Sequence, residues 1–448
     1  MIRMNATGSP SAPRRARPFR VLRPVVLLLF LAGPGALLAA DPPEDEASPS
    51  GTVDDAGGDA AKDGTKSTPE TDDRKTKEEK GGIKFRYKNG IHVESADGNY
   101  AARFQFRVQM RLTDVTSPDL VGEEDGVEEE TGFLIRRARF KMNGHVYRPW
   151  IRYKMEYGIE GSVLLTWRFD VAPWEQFGVR VGQYKVTYNR ERVDSSGKLT
   201  FVDRSIVNSP FTVDRQEGFE FFGHLFKGTR GDSSYWAGVY TGTGRGGPLD
   251  SDRRPMYMAR WQWNFLKVVL PFSESDLLRR KKAAASFAVA FSSNRSRFTR
   301  FSSAGGGELP GFAPGLPGQY KLQQWVAEFA QHYRGLSIQA EYHKKRIDDE
   351  FNRQTSELRG FYAQAGYFFH EAFPAFPRPL EIALRIAAVD STQGIELPAD
   401  REATLAVNWF FDGHNNKLTA DVSRLKSQGS AGTDDQGWRV RAQWDITF

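Results

Sequence analysis

Residues 101–113 read Ala-Ala-Arg-Phe-Gln-Phe-Arg-Val-Gln-Met-Arg-Leu-Thr, and their alternation decides the fold. Successive side chains of a β-strand point to opposite faces. Ala102, Phe104, Phe106, Val108, Met110 and Leu112 therefore share one face, and Arg103, Gln105, Arg107, Gln109 and Arg111 share the other. One face suits hydrocarbon and the other suits water. A strand of a soluble sandwich can show the same pattern. A membrane barrel is favoured by recurrence at ~9–11 residues, the length a tilted strand needs to cross a bilayer.

The pattern predicts strands near 100–112, 133–145, 150–159, 162–172, 177–188, 218–226, 234–242, 255–266, 284–293, 321–332, 336–346, 359–370, 379–390, 402–411, 417–427 and 437–448. That makes sixteen, an even number suited to an antiparallel transmembrane β-barrel. Connections such as Tyr147-Arg148-Pro149, Pro173-Trp174-Glu175, Tyr333-Arg334-Gly335 and Gly413-His414-Asn415 are short, as periplasmic turns are. Those at 113–132 and 294–320 are long and polar, as extracellular loops are. Trp150, Trp174, Trp261, Trp263, Trp409 and Trp444 lie near strand ends, where aromatic girdles sit. The last strand ends on an aromatic, Phe448, which resembles an outer-membrane assembly signal.

Mean hydropathy is −0.54 although 13% of residues are aromatic. A barrel hides its apolar residues at every second position, whereas a helical membrane protein would be hydrophobic on average. The chain has no cysteine, which excludes disulfides, thiolate metal sites and a lipidated N-terminal cysteine. Arginines at 14, 15, 17, 20 and 23, an apolar run from Val25 to Leu31 and small residues up to Ala40 read as a signal peptide over 1–40. Residues 41–82, acidic and rich in Pro and Gly, read as a disordered linker, and 83–448 as the barrel domain. The leader carries six arginines and no acid, and the linker six bases against thirteen acids, so the barrel domain holds a net +7.

Strand parity also sorts the bases. Arg103, Arg107, Arg111, Arg137, Arg139, Lys141, Arg152 and Lys154, with Arg439 and Arg441, face the lumen. Columns of guanidinium and ammonium groups concentrate anions, and rings of Arg and Lys are the expected selectivity element of anion and phosphate pores. In the competing reading these bases pair with lumenal acids such as Glu156, Glu341 and Glu381 and merely support the wall.

The stretch Gly132-Phe133-Leu134-Ile135-Arg136-Arg137-Ala138-Arg139-Phe140 resembles the Arg-Arg-Ala signature of the phosphate-selective porin O and P family. A second block strengthens the likeness: Val179-Arg180-Val181-Gly182-Gln183-Tyr184-Lys185, then Glu191-Arg192-Val193-Asp194-Ser195-Ser196, then Asp203-Arg204-Ser205. The resemblance runs from about Gly81 to Phe448, with its strongest motifs between 132 and 223. It implies a homotrimer of sixteen-stranded barrels in the outer membrane, each with its third loop folded inward. Here that loop is roughly Asn189 to Glu217, and the resemblance makes Arg190, Arg192, Lys198, Arg204 and Arg215 the constriction bases. Family members often place the loop lysine directly after the Ser-Ser pair, whereas Gly197 intervenes here, so Lys198 and Arg192 both remain candidates for the central charge.

The expected function is passive diffusion of phosphate or another small anion through the outer membrane, with lipid around the wall, no nucleic-acid partner and no cofactor. The acids of loop 113–132 lack the alternating ligand pattern of a calcium loop and read as solvated surface. The seven histidines are scattered singly, and no nucleophile or acid/base constellation argues for an enzyme. A barrel serving adhesion or envelope structure, without anion selectivity, is the alternative. Segment 267–283 is unusually long for a periplasmic turn and suggests no function by itself.

Overall fold

The computed structural model describes residues 82–116, 131–250, 252–394, 399–428 and 434–448. The signal peptide, all but the last residue of the linker and most of the acidic loop 113–132 lie outside the described residues. Sixteen strands build the wall: β1 Ala101–Val115, β2 Gly132–Val146, β3 Arg148–Gly158, β4 Val163–Val171, β5 Gly178–Lys185, β6 Arg215–Leu225, β7 Ser233–Tyr240 and β8 Met256–Trp263 form the first half. The second half is β9 Ala284–Ser296, β10 Tyr320–Tyr333, β11 Leu336–Asp349, β12 Gln354–Tyr367, β13 Leu380–Gln393, β14 Ala399–Asp412, β15 Asn416–Gln428 and β16 Asp434–Thr447. Each pairs antiparallel with its neighbour, and β16 returns to β1 from Arg439↔Val115 to Thr447↔Arg107. Closure leaves no strand edge among the sixteen.

Alternation does what the sequence predicts. Arg103, Arg107 and Arg111 are buried, while Phe106 and Leu112 are exposed by 43% and 49%. Trp150, Trp174, Trp261, Trp263, Trp409 and Trp444 all face outward. Several strands run further than expected. β12 starts at Gln354 and β11 continues to Asp349. In these extensions the apolar residues, Ile347 and Leu358, are buried inside the barrel and Asp348 and Glu357 lie on the outer side, so the lipid-facing periodicity that marks the rest of the strands gives no signal there.

Three features were not legible in advance. A hairpin, Ile83–Tyr87 with Ile91–Ser95, pairs with the first residues of β1 beyond the end of β16, matching Ile91 to Phe104 and Glu94 to Ala101. A short hairpin, Arg300–Ser302 with Gly305–Gly307, lies in the loop between β9 and β10. The third is a bulge in β2: Gln109 pairs with Arg137 and Met110 with Ile135, so Arg136 has no partner in the ladder. A bulge resets side-chain parity. Arg136 and Arg137 are consequently both buried, where strict alternation would send one of them to lipid.

Candidate functional site

The segment from 186 to 214, between β5 and β6, contains two single-turn helices, α1 Arg190–Val193 and α2 Asn208–Phe211. A backbone inside a barrel needs partners for its amides and carbonyls, and side chains of the opposite wall supply them. The Glu191 amide donates to Glu341 (2.6 Å) and the Val202 amide to Asp421 (3.1 Å). The carbonyls of Leu199, Thr200 and Pro210 accept from Lys417 (2.5 Å), Asn408 (2.8 Å) and Lys345 (2.8 Å). The loop therefore reaches from β5 to strands β11, β14 and β15.

The bases of β1 and β2 hold this loop. Arg107 donates to Ser195 Oγ (3.0 Å) and Ser196 Oγ (2.6 Å). Arg111 reaches Asp203 at 2.6 Å, Arg137 reaches it at 3.3 Å, and Arg136 lies 4.0 Å from it. Charge-assisted bonds of this kind are short and strong. Arg103 instead donates to the carbonyl of Asn89 at the tip of the N-terminal hairpin (3.0 Å). Gly197 now has a reason: a Cβ there would stand 2.6 Å from Arg107 Nη1.

The loop bases divide. Arg190 donates to Gln339 (3.2 Å) and to the Pro271 carbonyl. Arg192 pairs with Asp214 and donates to Ser303 (2.7 Å). Arg204 donates to the carbonyls of Glu191 (2.9 Å) and Asp194 (2.8 Å), fastening the loop to itself. Arg215 is the first residue of β6 and not a loop residue; its guanidinium lies 3.6 Å from Glu156. Of the two candidates for the central charge, Lys198 lines a cavity that Arg192 does not line.

That cavity, of 360 Å³, lies between the loop and the wall formed by β2 to β7. Arg139, Lys141, Arg152 and Lys154 line it, joined by Arg168, Arg180 and Lys185, whose role the sequence reading did not single out. Parity could have found them, since Arg168 and Asp170 alternate with Trp167 and Phe169 as the β1 bases alternate with phenylalanines. Nine lining residues are Lys or Arg and two are carboxylates, Glu156 and Asp170. Lys154 stands directly opposite Arg168 across β3 and β4, and Arg107 opposite Arg139 across β1 and β2. Like charges so placed repel. Arg180 Nη2, Arg215 Nη2 and the Tyr184 hydroxyl are buried without a hydrogen-bond partner.

Within the cavity Arg180 pairs with Asp170 and Glu220 (2.8 Å each) and Arg168 with Asp170 (3.4 Å), and bases elsewhere in the lumen are paired as well. Arg385 pairs with Glu402 (2.6 Å), Arg441 with Asp421 (2.8 Å) and Arg260 with Glu328 (2.5 Å). Of the acids considered from sequence, Glu156 takes Arg139 at 2.7 Å, while Glu341 and Glu381 accept from the loop and from segment 264–283 or from wall side chains. That segment, between β8 and β9, crosses beneath the loop. Glu274 accepts the Thr200 amide (2.6 Å), Ser275 contacts Thr200 (3.1 Å) and Glu381 (2.9 Å), and Ser273 contacts His414 (3.0 Å). Burial pushes the Asp194 carboxyl up to about 7 and Glu191 well above the usual carboxylate range. Among the described residues no group of His, Asp and Glu is arranged to hold a metal ion.

Solved structures share this barrel. The outer-membrane channel DcaP of Acinetobacter baumannii aligns with TM-score 0.53 at 10% identity, covering 79% of this chain and 99% of that one. A loop-deletion form of OmpT, an outer-membrane protein of Vibrio cholerae, aligns with TM-score 0.51 at 9% identity over 78% and 99%. An anion-selective porin from Comamonas acidovorans aligns with TM-score 0.50 at 8% identity over 78% and 100%. At such identities the likeness is one of fold. No curated protein sequence matches the chain. The family model described as phosphate-selective porin O and P matches residues 104–448, which include the bulged Arg136-Arg137 pair, the loop it grips and the closing strand. The chain belongs to that family, and it is an outer-membrane β-barrel porin.

Proposed function

We propose that the chain is an anion-selective diffusion channel whose selectivity resides in the cavity between the inward loop and strands β2 to β7, with phosphate or a related oxyanion preferred. The observation that carries the reading is the excess of nine bases over two carboxylates around that space. A cluster of one sign in a low-dielectric wall focuses potential and draws counter-ions in. Lys154 and Arg168, held opposite one another, gain most from an anion between them. Lys198 is the loop base that works with them, whereas Arg103, Arg107, Arg111 and Arg137 act mainly by holding the hairpin and the loop in place. The leader over 1–40 would direct export, and the family likeness favours a homotrimer.

In planar bilayers under a potassium chloride gradient the purified protein should give an anion-selective reversal potential. Lys154→Gln combined with Arg168→Gln should move it toward zero. Cation preference, or a closed barrel, would overturn the reading. The second reading, a wall braced without selectivity, is favoured by the paired bases at Arg385, Arg441 and Arg260. It calls for a reversal potential near zero in the unaltered protein.

A further inference from the structure

The basic cavity has a second wall that a bare oxyanion would not use. Tyr153, Tyr184, Trp236 and Phe272 line it alongside the bases. Phe272 is not a wall residue. It is carried by segment 264–283, which crosses the lumen beneath the inward loop. The segment is tied on several sides, through Glu274 to the inward loop, through Ser275 to Glu381 and through Asp276 to the Gly335 amide (2.9 Å). Its phenyl ring meets the Trp236 indole edge to face at 6.4 Å, and the Arg190 guanidinium lies 5.1 Å from its centroid. Phe272 is only partly buried.

An apolar wall beside a cluster of bases is costly in a simple ion channel, because it removes water that would otherwise solvate the bases. A permeant carrying both an anionic group and a ring offsets that cost: the bases take the charge, and the ring replaces water against Phe272 and Trp236. The volume also fits, since 360 Å³ lies in the range of pockets that take metabolite-sized organic ligands. Resting on the anion-channel reading and deepening it, we propose that the cavity binds organic anions in which a phosphonate, phosphate or carboxylate is borne on an aromatic ring, with Phe272 as the residue that confers the preference for the ring.

Phenylphosphonate and methylphosphonate carry the same charged head and differ in the ring, so they make a matched pair of probes. Block of chloride current through the full-length channel in planar bilayers should require about three- to tenfold less phenylphosphonate than methylphosphonate, the factor expected of one aromatic contact. Phe272→Ala should bring the ratio of the two half-blocking concentrations toward one. Equal potency in the unaltered protein, which needs no variant to fold, would overturn the inference while leaving the anion channel standing if inorganic phosphate still blocks. A ring preference that survives Phe272→Ala would also overturn it. Failure of all three anions to block would remove the anion-channel reading, and this inference with it.

Discussion

At the scale of single residues, charge is spent on holding the loop as much as on conduction. Asp203 is fully buried against Arg111, Arg137 and Arg136. Removing one partner of a buried ion pair costs about 3–5 kcal/mol, because the charges left behind stay desolvated. Asp203→Ala should therefore lower the temperature at which the folded barrel unfolds on a heat-modifiability gel, and an unchanged temperature would mean that the loop is held by other contacts. Asp194 makes a pH-dependent case. Both of its carboxyl oxygens are buried without a hydrogen-bond partner. Arg190 and Arg204 of the loop, Glu274 of segment 264–283 and Glu341 of β11 act on it, and Lys185 of β5 donates to its carbonyl. Its folded value of about 7 stands above the 3.8 usual for an aspartate. Folding thus favours the protonated acid, and that contribution is full below about pH 4. It is lost as pH rises through 7. Asp194→Asn should match the unaltered protein at pH 4 and unfold at a higher temperature at pH 8; the same gap at both values would refute this assignment.

Among elements, the inward loop and segment 264–283 hold each other. Thr200 Oγ1 and Ser275 Oγ are 3.1 Å apart, in a chain without cysteine. A Thr200→Cys, Ser275→Cys pair should form a disulfide under mild oxidation, seen as a reduction-sensitive mobility shift after proteolysis between the two positions. Absence of the link would show that the segment does not rest beneath the loop. The bulge at Arg136 belongs to this scale as well. The adjacent arginines were visible in the sequence, and alternation assigned one of them to the lumen. That both turn inward depends on one extra residue in the ladder, which no local periodicity reports.

Over the whole molecule, the outward faces must meet hydrocarbon all the way round. Ile386, midway along β13, is 57% exposed. Ile386→Arg should destabilise the barrel by about 2–4 kcal/mol if it sits near the bilayer midplane, measured by denaturant unfolding in lipid vesicles. A loss below about 1 kcal/mol would place that residue at the interface or beneath a neighbouring subunit. The closed wall also explains why the site is off-centre. Apolar packing of Val207 and Phe211 with Phe301, Leu309 and Tyr320 fills one part of the lumen, and Tyr184, Tyr188, Val213 and Tyr240 pack together in another. The basic cavity lies against β2 to β7.

The partition of side chains between lipid and lumen was written in the sequence, because strand parity is a local property and every second residue answers to one solvent. Strand number, closure and the inward direction of Arg103, Arg107 and Arg111 followed from it. Which inward bases meet a passing anion did not. Arg107 and Arg111 end on Ser195, Ser196 and Asp203, about ninety positions away, and Gln109 meets Asp445, 336 positions away. Only the folded chain brings a loop from above and a turn from below into the same cylinder, and those two segments decide which guanidinium groups bind protein and which line the open space.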